Sequence, residues 1–252
     1  MKRSHQIILT GLLTLVFIVW QAPASLIGAV LRQASHDAWD LADAEGTLWN
    51  GRGVVTGRRD KDPRQVSLPP LGWKFGGFQN GGLLFQMQAH GQPVGDVQIG
   101  WNGWKAQLRG LTVEARDLTP LLPGILNKGE WQGLLSFQQI SAQGDRHAMR
   151  ISQIDMEWLN AATSLMPQGA LGSFALKGHS EAAGVSFSIT SQDGPLTLAG
   201  QGSHSAQQGF QFTGELTDKA GLASQFPGFL GDYLQPTGAP NHYTLRISQL
   251  NL

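Results

Sequence analysis

The chain has 252 residues, 33 of them glycine and 12 proline, with 14% charged and 41% apolar side chains. Excess Gly and Pro, few charges and a remainder rich in Ser, Thr, Gln and Asn suit many short strands joined by turns better than a helical bundle, and exclude charge-driven disorder. Lys plus Arg number 18 against 18 Asp plus Glu, so no net field attracts nucleic acid, and the absence of cysteine excludes disulfides, thiol nucleophiles, thiolate metal sites and a lipid-bearing Cys.

The chain opens on a basic leader, Met1-Lys2-Arg3-Ser4-His5-Gln6, and no side chain from Ile7 to Leu31 is charged. A leader and apolar core closing on Ala22-Pro23-Ala24 fit a cleaved export signal. Pro23 disfavours cleavage there, however, and the apolar pattern resumes at Leu26 to Leu31, giving a stretch longer than the roughly 20 residues that span a bilayer. The preferred reading is an uncleaved anchor. Residues 1–34 form a cytoplasmic leader and transmembrane helix, with Lys2 and Arg3 inside and Trp20 at the far interface, and residues 35–252 form one exported β-rich domain.

Taken in chain order, a helix is expected over Ser25 to Ala38. Asp37, Asp40, Asp43 and Glu45, mostly three apart, would make an acidic stripe on a helix, a solvated face rather than an acid/base pair. Arg52, Arg58, Arg59, Lys61 and Arg64, with Asp60 and Asp62 between them, read as an exposed hairpin loop, with affinity for lipid headgroups or peptidoglycan as the alternative. Gly76-Gly77-Phe78-Gln79-Asn80-Gly81-Gly82 lacks the Gly-Lys-Ser/Thr and following helix of a phosphate loop and reads as a turn between strands.

Alternation of period two follows, as at Val97, Ile99 and Trp101, at Val185, Phe187 and Ile189, and at Tyr243, Leu245 and Ile247. It marks about a dozen half-buried antiparallel strands, punctuated by Asn102-Gly103 and Asp193-Gly194 turns. Further helices are expected at Leu118 to Leu126, Met156 to Met166 and Lys219 to Leu234, the last broken by Pro227. Leu122-Pro123 leading to Gly129–Gly133 and a strand, Met166-Pro167 leading to Gly169–Gly172 and a strand, and Leu234 to Leu245 suggest a helix, Pro/Gly turn and strand repeat. The expected architecture is mainly β: a curved, repetitive antiparallel sheet, half-barrel-like, with a few short helices. So little helix cannot cover one apolar face of such a sheet, which leaves rolling, a partner or lipid to do so.

No catalytic residue, cofactor or metal site is expected. There is no Gly-x-Ser-x-Gly elbow, and Gly202-Ser203-His204-Ser205 points its Ser and His to opposite faces of a strand or lies in a polar turn. The seven histidines, at positions 5, 36, 90, 147, 179, 204 and 242, contain no pair spaced to put two metal ligands on one face.

One string stands apart: Glu45-Gly46-Thr47-Leu48-Trp49-Asn50-Gly51-Arg52-Gly53. Locally it is a hairpin anchored by Trp49, with an Asn-Gly turn signal and a Gly53 that admits close backbone approach. Gly46, Thr47, Leu48, Trp49, Asn50 and Gly51, shortly after an N-terminal membrane segment, resemble the signature of the type II secretion system protein N family. The resemblance extends over nearly the whole chain. It implies a non-enzymatic periplasmic component, anchored in the inner membrane by a single pass, that assists export of folded exoproteins across the outer membrane. The implied partners are other secretion-machine components and the inner membrane, not nucleic acid. More loosely, the strand-rich units are similar to AsmA-like envelope proteins, which implies the alternative of lipid binding or transfer on the apolar face.

Overall fold

The computed structural model describes residues 2–58, 65–121, 129–145, 149–164, 170–181, 184–205, 207–222 and 233–249. The chain divides by packing into two units, Met1–Gln98 and Ile99–Leu252.

The first unit begins with helices α1 (Lys2–Trp20) and α2 (Ser25–Ala34), followed by strands β1 (Trp39–Gly46), β2 (Asn50–Arg58), β3 (Gln65–Ser67), β4 (Leu71–Gln79), β5 (Gly82–Ala89) and β6 (Gln92–Gly100), which reaches the boundary. The strands order as β1-β2-β4-β5-β6, with β3 paired to β2 beyond β4. The β4–β5 turn is Asn80-Gly81, with φ of 50° and 76°, and the β5–β6 turn is His90-Gly91, with φ of 51° and 75°. Two successive positive φ values match the right-handed twist of the flanking strands, and Asn-Gly reaches them at low cost. The expected turn in the Gly76–Gly82 stretch is therefore found.

The apolar faces of these strands meet α2. Ala24, Leu41, Trp73 and Phe85 are buried, and Ile27, Val55, Phe75, Leu83 and Met87 pack around them. Gly28 lets α2 lie close on β1, since a Cβ there would sit 3.2 Å from Asp40 Oδ1 and 3.3 Å from Leu41 Cβ.

Two expectations are corrected here. The uncharged run 7–31 is not one helix, and among the described residues no helix is long and apolar enough to cross a membrane. The run breaks at Ala22–Ala24, and the part beyond it folds back onto the sheet as α2. Nor do Asp37, Asp40, Asp43 and Glu45 form a helical stripe. The helix stops at Ala34, His36 and Asp37 take positive φ, and residues 39–46 are a strand in which Asp40 pairs with Arg32 and Glu45 with Arg52. Of the basic run, residues 59–64 lie outside the described residues; Arg58 ends β2, antiparallel to β3.

The second unit holds β7 (Gly103–Leu108), β8 (Leu111–Glu114), α3 (Ala115–Leu118) running into a 3-10 turn (Thr119–Leu121), β9 (Trp131–Gly144), β10 (Met149–Thr163), β11 (Gly172–Glu181), β12 (Gly184–Asp193), β13 (Leu196–Ser205), β14 (Gly209–Asp218), β15 (Leu234–Pro236) and β16 (His242–Gln249). These strands order as β7-β9-β10-β11-β12-β13-β14-β16-β15, an open antiparallel sheet, with β8 paired to β9 beside β7. Ala161, Leu171, Phe174, Leu196, Leu216 and Leu222 are buried together, with Trp131, Trp158 and Tyr243 packed against them.

Register sorts the two faces, because directly opposed residues share a side. Phe187 stands opposite Gly178 and Gly202, and Gly202 opposite Phe212. The phenyl rings of Phe187 and Phe212 are stacked at 6.1 Å across the glycine between them. The other face carries Lys177, Ser188, Gln201, Thr213 and Arg246 in one row.

The helix expected at Met156 to Met166 is strand β10 as far as Thr163, since its backbone is claimed on both sides by β9 and β11 and that ladder outweighs local helical preference. Leu234 likewise begins a strand, and 223–232 lie outside the described residues. The expected repeat therefore lacks its helix in the second and third copies among the described residues. What recurs is the antiparallel strand, sixteen times among the described residues against the roughly dozen expected.

Candidate functional site

The residues of the singled-out string form the β1–β2 connection. Gly46 ends β1, Thr47, Leu48 and Trp49 make the turn, and Asn50-Gly51 opens β2, with Gly46 paired to Gly51. The Asn-Gly pair thus follows the turn instead of making it. Thr47 closes it: its N–H donates to the Asn50 carbonyl at 2.9 Å, and its Oγ1 accepts from the Asn50 N–H at 3.2 Å. A threonine hydroxyl can replace a backbone partner in this way.

The turn grips the junction between α1 and α2. Leu48 N–H donates to the Ala22 carbonyl at 2.8 Å, Ala24 N–H donates to the Gly46 carbonyl at 3.1 Å, and Pro23 bridges to Thr47 as a short strand contact. Trp49 Nε1 donates to the Val19 carbonyl at 2.8 Å. The Val19 carbonyl, in the last turn of α1, also accepts the Ala22 N–H in a longer bond of 3.3 Å, so the indole bond adds to the cap of α1 from a side chain thirty residues away.

The Trp49 ring is held among aromatics. It stacks on Trp20 at 6.2 Å and on Phe85 at 6.4 Å, and meets Phe75 edge-on at 5.4 Å. The Phe75 N–H donates to the Trp49 carbonyl at 2.7 Å, while Trp73 Nε1 is shared between the Thr47 and Leu48 carbonyls at 3.3 and 3.1 Å. Gly46 has a φ of 85°, and a Cβ on Gly51 would lie 2.6 Å from the Trp73 ring and 2.7 Å from the Glu45 carbonyl. Both glycines are required by space. The string is thus a clasp, with β1, β2 and β4 as its frame and the end of α1 as what it holds.

Its chemistry is apolar and hydrogen-bonding. The ion pair on the string's flank, Arg52 to Glu45 at 2.6 Å, is exposed on both sides and contributes little. Among the described residues no three His, Asp or Glu side chains gather as metal ligands.

The second unit offers an open hollow of about 570 Å³ on its polar face, lined by Lys177, His179, Ser188, Gln201, Ser203 and Thr213 among others. His179 stands opposite Ser186 there, but Gln153, not a carboxylate, stands opposite His179 on its other flank. Ser203 and His204 are adjacent in β13 and face opposite ways.

Reading the string in isolation misses its partners: Val19, Trp20, Ala22–Ala24, Trp73, Phe75 and Phe85. The sequence signal that points to some of them is the close run of Trp73, Phe75, Phe78 and Phe85.

These features define a class: an open antiparallel sheet to which an apolar N-terminal helix is bound by an aromatic turn. The sequence model of the family "Type II secretion system (T2SS), protein N" matches residues 37–242, a span that contains the whole string, and the chain belongs to that family as a component of the type II secretion system. No curated protein and no solved structure matches the chain.

Proposed function

We propose that this chain is a non-enzymatic periplasmic component of the type II secretion system, held at the inner membrane through α1, which assists export of folded exoproteins across the outer membrane by binding other parts of the machine. The observation that carries the reading is the clasp. It spends an aromatic cluster and three hydrogen bonds on fixing the end of a helix and the junction after it, and the apolar side chains of that helix are exposed along its length, Ile7 by 72%, Leu13 by 60% and Ile18 by 60%. Such a helix needs an apolar surrounding.

Ile7 to Trp20 spans roughly 21 Å at about 1.5 Å per residue, short of a hydrocarbon core of roughly 30 Å. Seating it in a bilayer draws on Lys2 and Arg3 at one headgroup layer, Trp20 at the other and local thinning between them. The clasp also supports an uncleaved N-terminus. Cleavage after Ala24 would remove Val19, Trp20, Ala22, Pro23 and Ala24, five of the partners of the string.

Deleting the gene and measuring exoprotein in the medium tests the role. Retained exoprotein in the cells is expected, and restoration by the full chain but not by a chain lacking residues 2–20. Unchanged secretion, with no machine component co-purifying, overturns it.

A further inference from the structure

We propose that the tip of the β4–β5 hairpin, led by Phe78, is a second membrane contact that lies in the headgroup layer of the bilayer holding α1; this rests on the reading of α1 as the membrane segment. The starting point is a bulge. Phe75 pairs with Phe85, but Gly77 already pairs with Leu84, so Gly76 is an extra residue in β4. In a regular strand residues three apart face opposite ways; one inserted residue returns Phe78 to the face of Phe75. The two rings meet edge-on at 5.4 Å.

Phe78 thereby extends a row of aromatic rings that starts at the helix. Trp20 stacks on Trp49 at 6.2 Å, Trp49 meets Phe75 at 5.4 Å, and Phe75 meets Phe78. The middle of the row is partly covered and its two ends are open: Trp20 is 65% exposed and Phe78 82%. A phenylalanine aimed outward by a dedicated bulge, and joined through ring contacts to the end of an exposed apolar helix, is the kind of apolar side chain that inserts at the boundary of headgroups and acyl chains. The charge pattern agrees. From Pro63 to Gly95 the sequence has no carboxylate, and β4 and β5 carry a single full charge, Lys74. Nothing on the hairpin repels an anionic surface.

Strand geometry adds a second expectation. β5 has 8 residues, which at roughly 3.3 Å each places the His90-Gly91 turn about 26 Å from the Asn80-Gly81 turn. If one end lies in the headgroups, the other stands clear of them.

The chain has no cysteine, so single cysteines can be labelled in the full protein without background. Leu13→Cys, Gln79→Cys and His90→Cys, each carrying an environment-sensitive fluorophore, would be reconstituted in vesicles of phosphatidylethanolamine with a minority of phosphatidylglycerol and a doxyl-labelled lipid as quencher. Labels at 13 and 79 are expected to lose roughly half or more of their emission and the label at 90 to keep it. In the Gln79→Cys background, Phe78→Ser and deletion of Gly76 are each expected to reduce the quenching at 79. Quenching at 13 but not at 79, or equal quenching at 79 and 90, overturns the proposal while leaving α1 in the membrane, and marks the row as a surface for a protein instead. No quenching at 13 overturns the placement of α1, and the hairpin contact with it.

Discussion

Trp49 does three things with one side chain: it caps α1 through Nε1, stacks on Trp20, and fills the space against Phe75 and Phe85. Separating them is feasible. Trp49→Ala removes all three and is expected to lower stability by about 3 kcal/mol, whereas Trp49→Phe keeps an aromatic surface and loses the bond to Val19, for about 1 kcal/mol. Denaturant midpoints of the full chain in detergent check both. The glycines sort by space in the same way. Gly51→Ala drives a Cβ against the Trp73 ring and two backbone carbonyls and is expected to cost about 2 kcal/mol or more. Gly81→Ala meets nothing within 4 Å and is strained only by its φ of 76°, so about 1 kcal/mol is expected. Equal effects of the two substitutions would contradict this account of the clasp.

Among elements, the sharpest lesson comes from β10. Met156 to Met166 carries residues of fair helical preference, and a local reading makes it a helix. Its neighbours decide otherwise: β10 is hydrogen-bonded along most of its length to β9 on one side and β11 on the other. Interior strands with two partners open only when the sheet opens, so amides of β10 to β13 are expected to exchange slowest, and those of β15, a three-residue strand bonded among the described residues to β16 alone, much faster. Hydrogen exchange followed by mass spectrometry reads this directly. The acidic residues 37 to 45 teach the same point. Their spacing suits a helix, but positive φ at His36 and Asp37 ends α2 and the chain enters β1. The motif itself was legible as a string and as a Trp-anchored hairpin. Its purpose was not, because Val19, Ala22 and Phe75 lie far from it in sequence and carry no pattern that pairs them with Trp49.

At the scale of the whole molecule, the exposed ion pairs among the described residues have little part in holding the fold. The ion pairs Arg32–Asp40 and Arg52–Glu45 are half to mostly exposed and are worth at most about 1 kcal/mol each. Raising ionic strength is therefore expected to leave the denaturant midpoint nearly unchanged; a marked fall would show that electrostatics matter more than burial and backbone pairing. Burial contributes more, as in the apolar clusters around Trp73 and Phe85 and around Phe174 and Leu196. Among the described residues most of the exposed large apolar side chains lie on α1, which is the surface that the proposed membrane contact would cover.

The amino-acid sequence by itself determined the class of the protein. Period-two alternation and glycine turns are local properties of a strand, so a mainly β chain was readable, and a six-residue string was enough to suggest the family. Tertiary structure alone decided where the uncharged N-terminal run divides, that Met156 to Thr163 is strand, and that the string binds a helix. Each of these depends on contacts between residues distant along the chain, whose energies no local propensity contains.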